Sequence, residues 1–185
     1  MSQESSVEMD ISEMGIDPRE MEETGELEYV VTPHPLLLSQ TLVARAKSWV
    51  GHKFHGDEKE QCANFIRRLL KESGVRVPPA KRPFDFHLTE KLEQGPSFAN
   101  SFFSAENGSL LGFSDLRPGD LVAFRDTYKG DFPEGCITHV GIWVSEGSMV
   151  DRATAGDPVR EIVLNKWWKT RFVVGLRPSQ LCSPD

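Results

Sequence analysis

Residues 138–153, THVGIWVSEGSMVDRA, decide the fold. Two short runs rich in β-branched and aromatic residues flank a glycine turn at Glu146 and Gly147, which reads as a β-hairpin. Downstream, PVREIVL (158–164) and RFVVGLRP (171–178) repeat the pattern. Upstream, GDLVAFR (119–125) follows a proline–glycine turn. Five short strands with short connections predict hairpins and a meander.

Ahead of these strands the apolar period lengthens to that of a helix. Pro33 and Pro35 read as a break after the acidic segment, and in SQTLVARAKSWV (39–50) Ser39 is the expected N-cap. Leu42, Ala46 and Trp49, with Val43 and Val50, form the stripe, and Gly51 ends it. HKFHGDEKE (52–60) reads as a polar loop. A second helix begins near Cys62 and places Phe65, Ile66, Leu69 and Leu70 on one face, with Arg67, Arg68, Lys71 and Glu72 mostly off it. Gly74 and the Pro78, Pro79 pair stop it. Within residues 80–112, FHLTEKLEQ (86–94) reads as a short helix and GPSFANSFFSAENGS (95–109) as loop. KWWKTRF (166–172) reads as a connector packed on the sheet or as a groove wall. Helices first and antiparallel strands afterwards give an α+β fold, with helices on a twisted antiparallel sheet of about five strands.

The chain has 185 residues and a net charge of −7. Residues 1–30 hold ten acids against the single base Arg19. The remainder is therefore close to neutral, and the overall acidity says little about a partner. The expected division is a flexible acidic extension (1–32), a domain (33–178) and a tail (179–185). The extension reads as a spacer or as a docking segment for an assembly partner. No run approaches the ~18 apolar residues of a membrane span. No basic, apolar leader opens the chain, so synthesis in the cytoplasm without a Sec-type signal is expected. No dense basic patch with interleaved aromatics points to nucleic acid. Cys62, Cys136 and Cys182 are odd in number and lack a CxxC, so free thiols are expected. Only Cys136 and His139 have ligand-like spacing, too few for a structural zinc. No metal or other cofactor is expected.

Cys62 stands at the first turn of its helix, where the dipole favours a thiolate and unpaired N–H groups favour an oxyanion. Among His34, His52, His55, His87 and His139, the last opens an apolar strand that would hold its ring steady. A hairpin would bring Asp151 beside it, to orient the ring and stabilise an imidazolium. On residue types alone, a cysteine such as Cys62 is more often a small core side chain and a strand histidine such as His139 more often structural, and Asp151 reads also as a surface carboxylate.

The surrounding words resemble the NlpC family of papain-like cysteine peptidases over roughly residues 40–178. The resemblance rests on ARAKSWVGHKF (44–54), QCANFIRRLLKESGVRVP (61–78), LRPGDLVAF (116–124) and THVGIWVSEGSMVDRAT (138–154), in the family's order. RFVVGLRP fits its last strand. The resemblance implies a papain-like fold, with the helices carrying the nucleophile Cys62 and the sheet carrying the base His139. Asp151 occupies the third, orienting position. Phe54, His55, Gln61 and Ala63 would border the substrate. The implied reaction is hydrolysis of an amide bond in peptidoglycan stem peptides, of the D-glutamyl–diamino acid type.

Two departures stand out. Gln61-Cys62-Ala63-Asn64 replaces the usual Asp-Cys-Ser-Gly, and Phe54 stands where a tyrosine often contributes a hydroxyl. With the acidic extension, they motivate an alternative: a catalytically weakened structural or binding component of a phage-tail-like or injection assembly. An enzyme without a Sec-type signal would reach a wall by a phage tail or a secretion machine.

Overall fold

Pro35 opens the first helix instead of breaking the chain ahead of it. The computed structural model describes residues 34–54, 62–78, 97–129, 136–153 and 157–182. In it, α1 spans Pro35–Ser48, with His34 as the cap. The His34 ring accepts the Leu36 N–H, and Pro35 sits at a position where no N–H is needed. Ser39 is therefore inside the helix. Its hydroxyl donates to the Pro118 carbonyl, tying α1 to the turn before the strands. Gly119 in that turn has φ +99°, and a Cβ there would stand 2.7 Å from the Ser39 Oγ. The buried stripe starts one turn earlier than expected, as Leu38, Leu42 and Ala46. Helix α2 spans Cys62–Glu72 and ends ahead of Gly74, whose φ is +72°. Its four apolar residues Phe65, Ile66, Leu69 and Leu70 are all buried, as their spacing predicts. A short helix, α3, spans Ser97–Asn100. The helix expected at 86–94 and the extension 1–32 lie outside the described residues.

The sheet has six strands: β1 (Gly108–Leu111), β2 (Leu121–Arg125), β3 (Ile137–Ser145), β4 (Ser148–Asp151), β5 (Arg160–Val163) and β6 (Phe172–Pro178). Their order is β1-β6-β2-β3-β4-β5, and every pair is antiparallel. Strands β2 to β5 form the expected meander, and β6 returns to lie beside β2. Strand β1 corrects the loop reading of its segment. It is four residues long, only partly buried, and pairs with β6 some seventy positions away. A short edge strand with no apolar alternation leaves no periodic signal. After β6 a 3-10 turn, Ser179–Leu181, buries Leu181.

Strands β2 and β3 are buried on both faces. On one face, Leu121, Ala123, Val140, Ile142, Val144 and Val150 pack with α1 and α2 in an aliphatic core. On the other, Val122, Phe124, Trp143, Met149 and Leu164 form a second core. Phe113, Phe172 and Trp168 cover it, the last from α4 (Lys166–Lys169). The KWWK segment is thus a one-turn helix on the sheet, capped by the Asn165 side chain.

Candidate active site

Cys62 is the first residue of α2 and is 8% exposed. Its sulfur receives N–H groups from Ala63 in its own helix and from Val140 in β3. Burial pushes the thiol up, but the hydrogen bond and charge of His139, with those two N–H groups, outweigh it. The thiol is held below its ordinary value, which shifts the balance towards the thiolate.

His139 reaches that sulfur through an irregularity in its strand. Phe124 pairs with His139 and Arg125 with Ile137, so Thr138 is an extra residue in β3. Such a bulge kinks a strand and re-aims its side chains. The Thr138 hydroxyl is pinned by the Thr127 N–H at 3.0 Å. The His139 ring is 3% exposed and lies on the aromatic face, with its centroid 5.5 Å from Trp168 and 6.5 Å from Phe124. The thiol belongs to the aliphatic core, so the pair joins the two cores across β3.

The β3–β4 hairpin places Asp151 two positions from His139 on the same face. The His139 Nε2 lies 2.8 Å from Asp151 Oδ2, which leaves Nδ1 for the thiol. Burial pulls the imidazole down, but the hydrogen bonds to Asp151 and Cys62 lift it to about 9. Asp151 is fully buried; burial pushes its carboxyl up, and the bonds to His139 and Arg160 hold it below the usual carboxylate range. The arrangement favours a thiolate beside an imidazolium, with a carboxylate on the far ring nitrogen. It can attack a carbonyl carbon and hand a proton to a leaving group.

Sequence reasoning missed three neighbours of the site. Arg160, directly opposite Asp151 across β4 and β5, donates to both carboxylate oxygens. Trp168 covers the His139 ring. Tyr128, half-exposed after β2, lies within electrostatic reach of Cys62 and Cys136; burial first, then those two cysteines, push its phenol upward. An Asp–Arg cross-strand pair could have flagged Arg160. Trp168 stood in a segment read only as a connector or a wall.

Of the residues expected at the substrate, His55 and Gln61 lie outside the described residues. Phe54 and Ala63 are buried, at 7% and 5% exposure. The Phe54 ring stacks on Trp49 at 5.6 Å, and the Arg152 guanidinium stands 4.1 Å from its centroid. Both residues pack in the aliphatic core that also holds Cys62. All three cysteines are free; Cys136 is buried beside Asn100, and the partly exposed Cys182 lies near Ser109. Among the described residues, no group of three or more His, Cys, Asp or Glu side chains is placed to hold a metal ion. No helix among them is long and apolar enough to cross a membrane.

A profile of the NlpC/P60 family matches residues 48–177. The chain is 24% identical over 129 residues to the Escherichia coli K12 protein named Murein DD-endopeptidase MepS/Murein LD-carboxypeptidase, covering 67% of this chain and 54% of that protein. It is 27% identical over 137 residues to the Listeria innocua protein named "Probable endopeptidase p60", covering 74% of this chain and 22% of that one. The chain thus spans between about a fifth and about half of these relatives. A crystal structure of an NlpC/P60 family protein from Bacillus cereus superposes with a TM-score of 0.53 at 20% identity, over 76% of this chain and 40% of that one. A Staphylococcus aureus structure described as similar to lipoprotein, NLP/P60 family, gives a TM-score of 0.53 at 17% identity, over 77% and 41%. These superpositions carry the fold: papain-like, with helices on an antiparallel sheet.

Proposed function

The chain belongs to the NlpC/P60 family, and on that footing we propose that it is a cysteine peptidase hydrolysing an amide bond in peptidoglycan stem peptides, of the D-glutamyl–diamino acid type. The observation that carries this reading is the continuous chain of contacts from Cys62 to His139 to Asp151. The names of the Escherichia coli and Listeria relatives supply the substrate class and the endopeptidase activity.

The Cys62 thiolate adds to the scissile carbonyl carbon. The oxyanion meets the unpaired N–H groups at the start of α2, that of Cys62 among them. The His139 imidazolium gives its Nδ1 proton to the departing amine as the C–N bond breaks. The thioester that remains is attacked by water, whose proton passes to His139. The tetrahedral adduct then releases the acid product and restores the thiolate–imidazolium pair. Asp151, bonded to Nε2, fixes the ring and stabilises its charged form in both halves. The contacts from Cys62 to His139 to Asp151 support this reading over a spent binding module, despite the altered residues flanking Cys62.

Defined muropeptides, with products identified by mass, test the proposal. The parent protein should release a free amine at one stem-peptide bond. Cys62→Ala should lower turnover by up to about 10⁶-fold, as nucleophile deletions do elsewhere. Equal digestion by parent and variant would refute it.

A further inference from the structure

Asp151 is shared between two cations. Arg160 Nε donates to Oδ1 at 2.8 Å and its NH2 to Oδ2 at 3.2 Å, while His139 Nε2 lies 2.8 Å from the same Oδ2. The carboxylate is fully buried, whereas the Arg160 side chain is 40% exposed. A guanidinium fork binding both oxygens fixes the plane of a carboxylate as well as its charge.

We infer that Arg160 is a positioning residue of this site: its guanidinium holds Asp151 as an oriented anion and divides that charge, so that the Cys62–His139 pair works at lower pH than Asp151 alone would allow. The inference rests on the reading of Cys62 and His139 as the reacting pair. A buried carboxylate bonded to one imidazolium alone holds the proton tightly and makes a reluctant acid for the leaving amine. A second cation on the same carboxylate weakens that hold.

Among the described residues, the charged and titratable groups facing the pair are few. Cys62 faces the ring from α2 and Asp151 from β4. Arg160 faces Asp151 from β5, with Asp157 beside Arg160 from the preceding turn. Tyr128 stands near Cys62. The groups packed on the ring from β2 and α4, Phe124 and Trp168, are uncharged. Lys169 of α4 is engaged elsewhere, 5.9 Å from the Phe113 centroid.

The test is the rate of Cys62 alkylation by iodoacetamide as a function of pH, read by mass, beside turnover of a defined muropeptide. The parent protein should show one inflection below the ordinary thiol value and a second near 9. Arg160→Gln should move both upward by about half a pH unit, a charge effect discounted for the exposure of the side chain. Arg160→Lys, which keeps the charge without the planar fork, should restore most of the profile and leave turnover several-fold low. In an Asp151→Asn background, Arg160→Gln should move nothing, which separates the effect from any loss of fold. Coincident profiles for parent and Arg160→Gln would overturn the inference. So would an Arg160→Lys shift as large as that of glutamine, or an undiminished shift in the Asp151→Asn background. A parent thiol that titrates at its ordinary value would instead sink the reacting-pair reading, and the role of Arg160 with it.

Discussion

Two buried carboxylates in this domain are each gripped by one arginine, and they serve different ends. Asp120, at the start of β2, accepts Arg177 Nε at 3.0 Å, Arg177 NH2 at 2.9 Å and the Arg117 N–H at 2.7 Å. Asp151, at the end of β4, has the same arginine fork and, in place of the backbone N–H, an imidazole. At Asp120 burial dominates and pushes the carboxyl up. At Asp151 burial acts the same way, but the bonds to His139 and Arg160 prevail and bring it down. The Arg177 side chain is 17% exposed and that of Arg160 is 40%. The first pair locks a turn. The second leaves one partner in reach of water and the other in contact with the thiol. A buried Asp–Arg pair is therefore a structural device by default, and the titratable third partner is what sets the second pair apart as part of the proposed site.

Breaking each carboxylate should separate the two roles. Asp151→Ala should cost about 10²-fold or more in kcat/KM, within the usual range for loss of acid–base assistance. It should cost less stability than the Asp120 change, about 1–2 kcal/mol, because water can solvate the half-exposed Arg160 but the buried His139 Nε2 loses its partner. Asp120→Ala should lower the free energy of unfolding by about 3 kcal/mol, the cost of stranding a buried cation, and leave the folded protein's turnover near that of the parent. Urea titration and muropeptide kinetics on the same two variants decide the matter.

The pH dependence sharpens the contrast. Activity should rise as Cys62 ionises, below the ordinary thiol range. It should fall as His139 loses its proton through about 9, because the proposed mechanism uses the imidazolium as the acid for the leaving amine. Asp120→Asn should leave both limbs in place, whereas Asp151→Asn should draw the alkaline limb downward by about one pH unit, since a neutral amide no longer favours the imidazolium.

Smaller effects belong to the walls of the site. Trp168→Ala exposes the His139–Asp151 bond to water and should lower kcat/KM about 10-fold, with little change in the urea midpoint beyond the packing lost from the aromatic core. Tyr128→Phe removes the one hydroxyl placed near Cys62 among the described tyrosines and should cost about 3-fold, roughly one neutral hydrogen bond. Steady-state kinetics on both variants would rank them.

Much of this was legible in the sequence, for reasons the structure makes plain. Phe65, Ile66, Leu69 and Leu70 announce α2 because a helix repeats its buried face every three to four residues. Gly147 announces the hairpin, and the hairpin alone carries Asp151 to His139. The start of α1 was misread because Pro35 looks like a break, although proline suits the first turn of a helix. Strand β1 was missed because its partner is remote. Arg160 and Trp168 were missed because their roles depend on register and on a one-turn helix, neither of which a local pattern fixes. Phe54, expected at the substrate, has a buried ring that stacks on Trp49 with the Arg152 guanidinium against it.

The most direct test of the thiolate–imidazolium pair is an NMR titration of the histidine rings, with the His139 signal identified by its loss in His139→Gln. The account predicts that His139 titrates near 9 in the parent protein and falls by a unit or more in Cys62→Ala, as removal of a close opposite charge requires. A His139 ring that titrates near its ordinary 6.5 in both proteins would contradict it.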